Sequence, residues 1–554
     1  MRTLARRCRD HVNRTSQPLL RHSVYALLLA AIALPFVSLI YLAFAGSTRE
    51  ASTLGHYVAT VLPGYIVDTA LLTAAAVMLA TIIGAACAWQ VERYRFPGRN
   101  VVAWALMLPL AMPAYVAAYA LADFTQFSGP VQTWLRSAFS WQRGDYWFPE
   151  ATSMTGAIVC FGFTLYPYVY LLARTAFAER GHDLLDAARS LGMSRARAWW
   201  QAVLPAARPA LAGGGLLVLM EVLADFGAVS YLGVDTLTVG IYRAWYNMAD
   251  VRAAAQLAVA LLAIVIMVVA IERRQRSRAR YASQRQRIAL PVSSSGFGGG
   301  LRLAICMLPV LIGFVLPAAL LVRLLVRVDD RPTLASAISW SWNSVQVGAA
   351  VAVVTVVLAL VLHLRQRLWK ESLAALTSRL LGLGYAVPGA VLALGILIPL
   401  AALDNHLIEI LRASIGVSPG LFLTGGIVAL VYAISIRFYG VAANATNSVF
   451  LRIPNSLDDG ARVLGLTNGA IFRRVHWPLA RPTLLAAGLL VFIDALKELP
   501  ATLALRPFDF NTLATATYNF ARDERLGEAA LPSLLIVAAS LPAVLLVTRQ
   551  ARSR

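Results

Sequence analysis

Residues Asp186 to Pro205 read DAARSLGMSRARAWWQAVLP, and Asp459 to Pro478, 273 residues later, read DGARVLGLTNGAIFRRVHWP. Each copy has an acidic residue, a pair of small residues, a glycine six positions after the acid, and a proline thirteen positions after the glycine. The flanking residues agree at the same offset: Arg208-Pro209 with Arg481-Pro482, Glu221 with Asp494, and Asp225 with Glu498. The chain is therefore an internal duplication, and its period is far too long for a solenoid.

The composition is that of a membrane protein. With 59% hydrophobic residues, 14% charged residues and a mean hydropathy of +0.66, the 554-residue chain must place long apolar segments in lipid. The net charge of +21 comes from basic residues in short loops between apolar segments, which membrane topology explains better than nucleic-acid binding does. We expect membrane lipid as a partner and no nucleic acid.

Apolar segments of about twenty residues recur along the whole chain. They lie at approximately 22–46, 65–90, 101–122, 151–173, 209–232, 253–271, 301–326, 342–363, 379–401, 421–441, 482–505 and 528–547. Since open backbone cannot face lipid, these segments are helices. The sequence predicts an all-α polytopic membrane protein of about 12 transmembrane helices. It divides into a first half (1–271), a basic, Ser/Gly-rich and flexible linker (272–300) and a second half (301–554).

The distribution of basic residues predicts the orientation. Most of the 49 Lys and Arg residues fall on the cytoplasmic side if the N-terminus is cytoplasmic, which places both termini and both repeated stretches there. Because each half has an even number of helices, the two repeats are parallel. The first apolar segment ends in Ala43-Phe44-Ala45, an A-x-A pattern, but its length favours a retained helix over a cleaved signal peptide.

Each repeated stretch predicts a short helix, a turn and a second helix. Acidic residues suit the first helix N-terminus, the glycine suits its C-terminal end, and Ser194 or Thr467 suits the N-cap of the second helix, which the proline is expected to end. Such an element can project from the membrane and fit a groove on a partner. The alternative is an ordinary amphipathic loop lying on the bilayer.

The repeated pattern resembles the EAA loop of ABC importer permeases. The residues that carry the resemblance are Asp186, Ala187, Ala188, Gly192, Leu204 and Pro205 in the first copy, and Asp459, Gly460, Ala461, Gly465, Trp477 and Pro478 in the second. Gly460 and Trp477 depart from the family pattern, which has Ala and Leu there. The resemblance implies that loops at about 181–208 and 454–481 couple the chain to an ATP-binding subunit on the cytoplasmic side.

The fused double-length layout is similar to the ferric-iron importer permeases of the bacterial inner membrane. The segments Thr164 to Phe177, Leu223 to Asn247 and Lys497 to Tyr518 look like that subgroup. The resemblance implies a periplasmic substrate-binding protein as partner and ferric iron as substrate. Thiamine, polyamine, phosphonate and sulfate remain as alternatives, and a proton-coupled secondary transporter is the alternative from a different class.

The chain is expected to be a transport subunit and not an enzyme. Its only lysines, Lys370 and Lys497, lie outside any GxxxxGK[ST] phosphate loop, so ATP and Mg are expected to be used by a separate homodimeric ATPase. We expect no cofactor on this chain and no resident metal site, since the histidines show no pair at ligand spacing.

Charged residues within the apolar segments suggest a translocation path. Glu221 and Asp225 are one helical turn apart on one predicted face, and Asp494 and Glu498 occupy the matching segment, so the four carboxylates are suited to a hard cation. The alternative is that Lys497 neutralises Asp494 or Glu498 and that the acids pair with other helices or lie near a helix end. Two further path candidates, Pro113 and Pro388, are expected to break the third span of each half. Finally, Tyr166, Tyr168 and Tyr170 are expected to be interfacial belt residues and not iron ligands.

Overall fold

The computed structural model describes residues 2–45, 60–142, 144–178, 182–278, 292–417 and 420–552. The helices of the first half are α1 (Arg2–Phe44), α2 (Leu62–Arg93), α3 (Arg99–Ala105), α4 (Ala114–Thr125), α5 (Pro130–Phe139), α6 (Met154–Ala176), α7 (His182–Ser190), α8 (Arg195–Ala198), α9 (Leu204–Ala224), α10 (Gly227–Tyr231), α11 (Leu237–Tyr242) and α12 (Val251–Arg278). A 3-10 turn lies at Leu108–Ala111, and π-turns lie at Trp199–Val203 and Arg243–Asn247.

The second half repeats this order. Its helices are α13 (Gly296–Val310), α14 (Leu316–Arg327), α15 (Leu334–Leu368), α16 (Ser372–Gly382), α17 (Gly389–Ile415), α18 (Val428–Arg452), α19 (Asn455–Val463), α20 (Asn468–Ile471), α21 (Trp477–Lys497), α22 (Pro500–Leu505), α23 (Leu513–Arg522) and α24 (Leu526–Arg552). A 3-10 turn lies at Leu383–Ala386, and π-turns lie at Leu311–Val315 and Phe472–His476.

The prediction of an all-α polytopic membrane protein is confirmed. In the described part of the chain, 10 helices are long and apolar enough to cross a membrane. The predicted third span is a broken helix pair, Arg99–Ala111 and Ala114–Phe139, bent by 93°. The predicted twelfth span falls in α24, where the apolar segment Leu526–Pro542 is shorter than the other ten.

The described chain forms two compact units that do not coincide with the two sequence halves. Unit 1 comprises Met1–Phe44, Val345–Ala495 and Ala504–Phe508, and unit 2 comprises Ala45–Ser344, Leu496–Leu503 and Asp509–Arg554. The boundaries predicted from the sequence, 1–271 and 301–554, therefore do not coincide with those of the compact units.

The first helix of each half packs among helices of the other half. In unit 1, α1 lies so close to α17 that a Cβ at Gly395 would be 2.3 Å from the carbonyl oxygen of Pro35. In unit 2, a Cβ at Gly313, between α13 and α14, would be 2.0 Å from the carbonyl oxygen of Phe163 in α6. Sequence position alone could not predict this exchange, because it depends on backbone contacts between helices that are far apart in the chain.

The predicted flexible linker is structured at both of its described ends. Helix α12 continues to Arg278, and β1 (Tyr94–Arg95) pairs in parallel with β2 (Val292–Ser293). The Ser294 amide donates to the Arg95 carbonyl oxygen at 2.8 Å. The Arg302 guanidinium lies 3.4 Å from the centroid of the Tyr94 ring. Cross-strand and cation–π contacts therefore order the second of these ends, although its Ser/Gly-rich composition is typical of a flexible linker.

Candidate functional site: the repeated loops and the carboxylates beyond them

The first repeated stretch, here called loop 1 (182–205), forms the predicted helix–turn–helix. After α7, Gly192 adopts a φ of 86°, a left-handed conformation that glycine adopts without a steric penalty. The amides of Gly192 and Met193 donate to the carbonyl oxygens of Arg189 and Ala188, at 3.0 and 3.1 Å. Ser194 then caps α8 by accepting from the Arg197 amide. A glycine C-terminal turn followed by a serine N-cap defines the loop.

The second stretch, loop 2 (455–478), has the same backbone geometry. Gly465 has a φ of 78°. The amides of Gly465 and Leu466 donate to the carbonyl oxygens of Arg462 and Ala461, at 2.9 and 3.0 Å. Thr467 caps α20 by accepting from the Ala470 amide. Each of these bonds matches a bond in loop 1 at an offset of 273, so the duplicated sequence encodes a duplicated turn.

The prediction that the prolines end the second helix is wrong. Pro205 and Pro478 lie near the start of α9 and α21, and apolar helix runs without interruption over Arg195–Ala224 and Asn468–Lys497. A π-turn immediately precedes each proline-containing segment. Its wider turn accommodates the missing proline N–H and the proline ring, which would disrupt a regular α-helix. Each loop is thus continuous with a membrane helix.

The tips of both loops carry exposed apolar side chains. Leu191 and Leu464 occupy equivalent positions in the turns, and each is 81% exposed. The small residues Ala188 and Ala461 face inward and are buried. The other residues of the predicted coupling set are exposed or half-buried: Asp186, Ala187, Gly192, Leu204 and Pro205 in loop 1, and Asp459, Gly460, Gly465, Trp477 and Pro478 in loop 2. The two leucines are not among the residues predicted from the sequence, although each directly precedes the glycine of its copy.

Loop 1 is attached to the end of α2 through a partly exposed ion pair. Arg93 Nη2 lies 3.0 Å from Asp186 Oδ1, with the arginine side chain 9% exposed and the aspartate side chain 59% exposed. The ring of Trp89 also makes an edge contact with Trp199, at 6.4 Å between centroids. Asp186, the acidic residue of the repeated pattern, therefore also forms an ion pair with Arg93.

Loop 2 is attached to the equivalent helix, α15, through a buried charged cluster. Arg367 Nε lies 2.7 Å from Asp458 Oδ2, and Arg367 also donates to the carbonyl oxygens of Phe450 and Ile453. His476 Nε2 lies 2.9 Å from Asp458 Oδ1, although the two do not have hydrogen-bond geometry. Asp458 is 3% exposed and His476 is fully buried. The only sequence signal was the doubled acid Asp458-Asp459, since loop 1 has leucine at the position of Asp458.

The predicted pairing of Glu221 and Asp225 on one helical face is wrong. Glu221 lies on α9, but α9 ends at Ala224, and Asp225 has an extended ψ of 139°. Its Oδ1 accepts from the amides of Ala228 and Val229, at 2.8 and 3.3 Å, and so caps α10. Hydropathy could not reveal this break, because the residues on both sides of it are apolar.

Glu498 has the equivalent position in the second half. It follows Lys497, the last residue of α21, whereas Asp494 lies within that helix. Glu498 Oε1 and Oε2 accept from the amides of Ala501 and Thr502, each at 2.9 Å, at the start of α22. Asp225 and Glu498 are therefore acids at helix breaks, where carboxylates satisfy amides that have no partner within the helix.

The predicted breaks at the prolines are present. Pro113 stands between the 3-10 turn Leu108–Ala111 and α4, and Pro388 stands between the 3-10 turn Leu383–Ala386 and α17. The Lys497 ammonium donates to the Leu110 carbonyl oxygen at 2.6 Å. The 3-10 turn before Pro113 thus places the Leu110 carbonyl beside Lys497, the last residue of α21.

Two of the tyrosines predicted to be belt residues are buried inside unit 2. Tyr166 and Tyr170 are fully buried, and the Tyr170 hydroxyl donates to the Ala103 carbonyl oxygen at 2.9 Å. The belt prediction is therefore wrong for these two residues. Within the described residues, no group of three His, Cys, Asp or Glu side chains is arranged to hold a metal ion.

Comparison with known proteins agrees with this duplicated architecture. The family described as "Binding-protein-dependent transport system inner membrane component" matches residues 80–281 and again 356–553. The chain is 26% identical over 476 residues to the Fe(3+)-transport system permease protein FbpB 2 of Haemophilus influenzae, covering 85% of this chain and 86% of that protein.

Other relatives match over a smaller part of the chain. The sulfate transport system permease protein CysT of Escherichia coli is 32% identical over 27% of this chain and 52% of its own length. A probable molybdenum ABC transporter permease of Haloferax volcanii is 27% identical over 33% of this chain and 64% of its own length. Because the family matches both repeats and together most of the sequence, the chain belongs to the inner-membrane components of binding-protein-dependent transport systems.

Proposed function

We propose that this chain is the permease of an ATP-driven importer and carries ferric iron from a periplasmic binding protein into the cytoplasm by alternating access. The observation that carries the proposal is the relative named as a ferric-iron permease, which aligns with 85% of the chain and therefore with both halves. The relatives named for sulfate and molybdenum align with about a third of the chain or less.

Loops 1 and 2 are the docking elements for the ATPase in this proposal. Each has an exposed leucine at its tip, which is available for contact with a partner protein. Two loops of the same geometry suit two copies of one ATP-binding subunit, which would use ATP and Mg. Both loops and both termini are cytoplasmic in this arrangement, as the distribution of basic residues favours.

Movement of the loops has a direct structural route into the membrane. The helices Arg195–Ala224 and Asn468–Lys497 each run 30 residues from a loop to the position before an acidic helix cap, Asp225 or Glu498. A continuous helix moves as a rigid element, so displacement of a loop displaces the cap at the far end. Glu221, Asp225, Asp494 and Glu498, with Pro113 and Pro388, remain our candidates for the translocation path.

Iron uptake by whole cells tests the proposal. Cells without iron importers of their own would receive this chain with its cognate ATPase and periplasmic binding protein, and uptake of radioactive Fe³⁺ would be measured with and without the chain. We expect the uptake of iron to require all three components. Excess sulfate, molybdate, thiamine, polyamine or phosphonate should not reduce it. Uptake of one of those solutes in place of iron would contradict the choice of substrate.

The energy source separates the importer from a proton-coupled transporter. We expect uptake to continue when the proton gradient is collapsed at constant ATP, and to stop when the partner ATPase is inactivated. Uptake that follows the proton gradient and does not require an ATPase would contradict the importer mechanism.

A further inference from the structure

Unit 2 contains a cavity whose wall includes Tyr231. Its volume is about 370 Å³, and it is lined by residues of α4, of α5 and of the loops that follow them, together with Tyr231 at the end of α10. The polar side chains in its wall include Thr125, Gln126, Gln132, Tyr146, Glu150 and Tyr231. Gln132 joins two parts of this wall, because it donates to the Thr125 carbonyl oxygen and accepts from the Tyr146 hydroxyl, each at 2.8 Å.

Two buried tyrosines lie beyond the end of this cavity. The ring of Tyr231, in the cavity wall, makes an edge contact with Tyr119 at 4.5 Å between centroids, and Tyr119 contacts Tyr115 at 5.8 Å. Both tyrosines belong to α4, the helix that starts after the break at Pro113. Tyr115 is 4% exposed and Tyr119 is 2% exposed. The aromatic contacts therefore form a continuous series from the cavity to the helix break.

The hydroxyl groups of Tyr115 and Tyr119 have no hydrogen-bond partner among the described residues. A buried hydroxyl without a partner costs free energy, so two adjacent ones require an explanation. The carboxylate of Asp225 interacts electrostatically with both tyrosines, and that of Glu498 interacts with Tyr115. A ligand of these two hydroxyl groups would therefore lie near carboxylates, which favours a cation over an oxyanion. Lys497, the residue before Glu498, donates to the Leu110 carbonyl oxygen.

We propose that the hydroxyl oxygens of Tyr115 and Tyr119, together with the carboxylate of Asp225, are a contact site for the transported hard cation beyond the cavity wall at Tyr231. Phenolic and carboxylate oxygens are the donors that such an ion prefers. Glu498 contributes charge to this site, since both of its carboxylate oxygens already accept amides of α22. When the second half is aligned on Pro113 and Pro388, Ala390 and Leu394 stand at the positions of the two tyrosines. The site therefore belongs to α4 alone. This proposal rests on the proposed function and adds Tyr115 and Tyr119 to the candidate residues of the translocation path.

Removal of single oxygen atoms tests the site. In the complete importer, Tyr115→Phe and Tyr119→Phe each remove one hydroxyl and keep the ring, and we expect the initial rate of Fe³⁺ uptake to fall about tenfold in each. Stimulation of the ATPase by the binding protein and the amount of protein in the membrane should not change. Tyr166→Phe is the matched control, because its hydroxyl is also buried without a partner but lies near Cys87, Tyr170 and Cys306 instead of the carboxylates.

Asp225→Asn tests the charge separately from the fold. Asparagine keeps an oxygen that can cap α10, so the protein should remain folded while the uptake of Fe³⁺ falls. Unchanged uptake in Tyr115→Phe, Tyr119→Phe and Asp225→Asn, in an importer whose wild type takes up iron, would overturn this site and leave the proposed function intact. A wild-type importer that takes up sulfate or molybdate but no iron would overturn the proposed function, and the cation site with it.

Discussion

Loops 1 and 2 share one backbone geometry but are attached to the membrane helices in different ways. The glycine turns, their hydrogen bonds and the hydroxyl N-caps match residue for residue. The attachment of loop 1 is the partly exposed pair of Arg93 with Asp186, whereas that of loop 2 is the buried cluster of Arg367, Asp458 and His476. Duplication has therefore preserved the backbone geometry of the loop, while the contacts that attach it to the membrane helices have diverged.

The difference has an energetic consequence for the two halves. An exposed ion pair contributes little to the free energy of unfolding, because water screens its charges. Removal of one partner from a buried pair strongly destabilises the protein, because it leaves a buried charge without compensation. We therefore expect loop 2 to be held rigidly and loop 1 to tolerate changes at its attachment. Four sets of substitutions can break or sharpen this comparison.

The largest effect is expected from removal of the buried carboxylate. Asp458→Ala leaves Arg367 and His476 without their acidic partner and should destabilise the protein by about 3–5 kcal/mol. The matched change in loop 1, Asp186→Ala, should cost at most about 1 kcal/mol. Thermal unfolding of the purified protein in detergent measures both. Equal losses of stability would contradict the difference between the loops.

Replacement of the whole cluster should restore part of the stability. In the first half, Leu185 and Val203 stand at the positions of Asp458 and His476, and tyrosine is an uncharged replacement for Arg367. The triple variant R367Y/D458L/H476V removes all three buried charged or polar side chains together and should be more stable than D458L alone by about 1–3 kcal/mol. A triple variant that is less stable than D458L would show that the three residues act independently.

The loop tips should contribute equally to binding of the ATPase. Leu191→Asp and Leu464→Asp each place a charge at an exposed apolar tip and should weaken association with the ATPase by about tenfold or more. The unfolding temperature should not change, because neither side chain is buried. Co-purification of the ATPase at a series of concentrations measures the loss, with Trp147→Asp as a control at an 86% exposed residue outside both loops. A loss in one loop variant only would indicate that the two tips are not equivalent.

The smallest effect is expected at the turn glycines. Gly192→Ala and Gly465→Ala introduce a Cβ at a positive φ, which costs about 1–2 kcal/mol, and Asn tolerates this conformation better. We expect both alanine variants to take up less iron for each ATP hydrolysed, with Gly192→Asn and Gly465→Asn closer to the wild type. Normal coupling in all four variants would contradict a coupling role for the turns.

The parts of the structure that depend on nearby residues could be predicted from the sequence. The glycine turns and the Ser194 and Thr467 caps require only a few adjacent side chains, and apolar segments long enough to cross a bilayer are visible in composition. Because the sequence is duplicated, the helix–turn–helix predicted for one loop also applied to the other.

The parts that depend on tertiary contacts could not be predicted in this way. Hydropathy does not distinguish a continuous helix from one broken after Ala224 or Lys497. The sequence therefore left open whether these acids line a path or lie near helix ends, and the structure places Asp225 and Glu498 at helix ends. Tyr115 and Tyr119 resemble ordinary apolar-segment residues until their hydroxyl groups are seen to be buried beside carboxylates. The π-turns before Pro205 and Pro478 have no simple sequence signal either.

Accessibility of the loop tips tests most directly the claim that loops 1 and 2 are the cytoplasmic docking elements. Single cysteines at Leu191 and Leu464 would be labelled with a membrane-impermeant maleimide in a Cys8→Ser background, because the other cysteines are buried. Trp147→Cys is the control for the opposite side. We predict that Leu191→Cys and Leu464→Cys are labelled in inside-out vesicles only, and that bound ATPase protects both. Labelling of either tip from outside intact cells, or labelling that the ATPase does not reduce, would contradict the account.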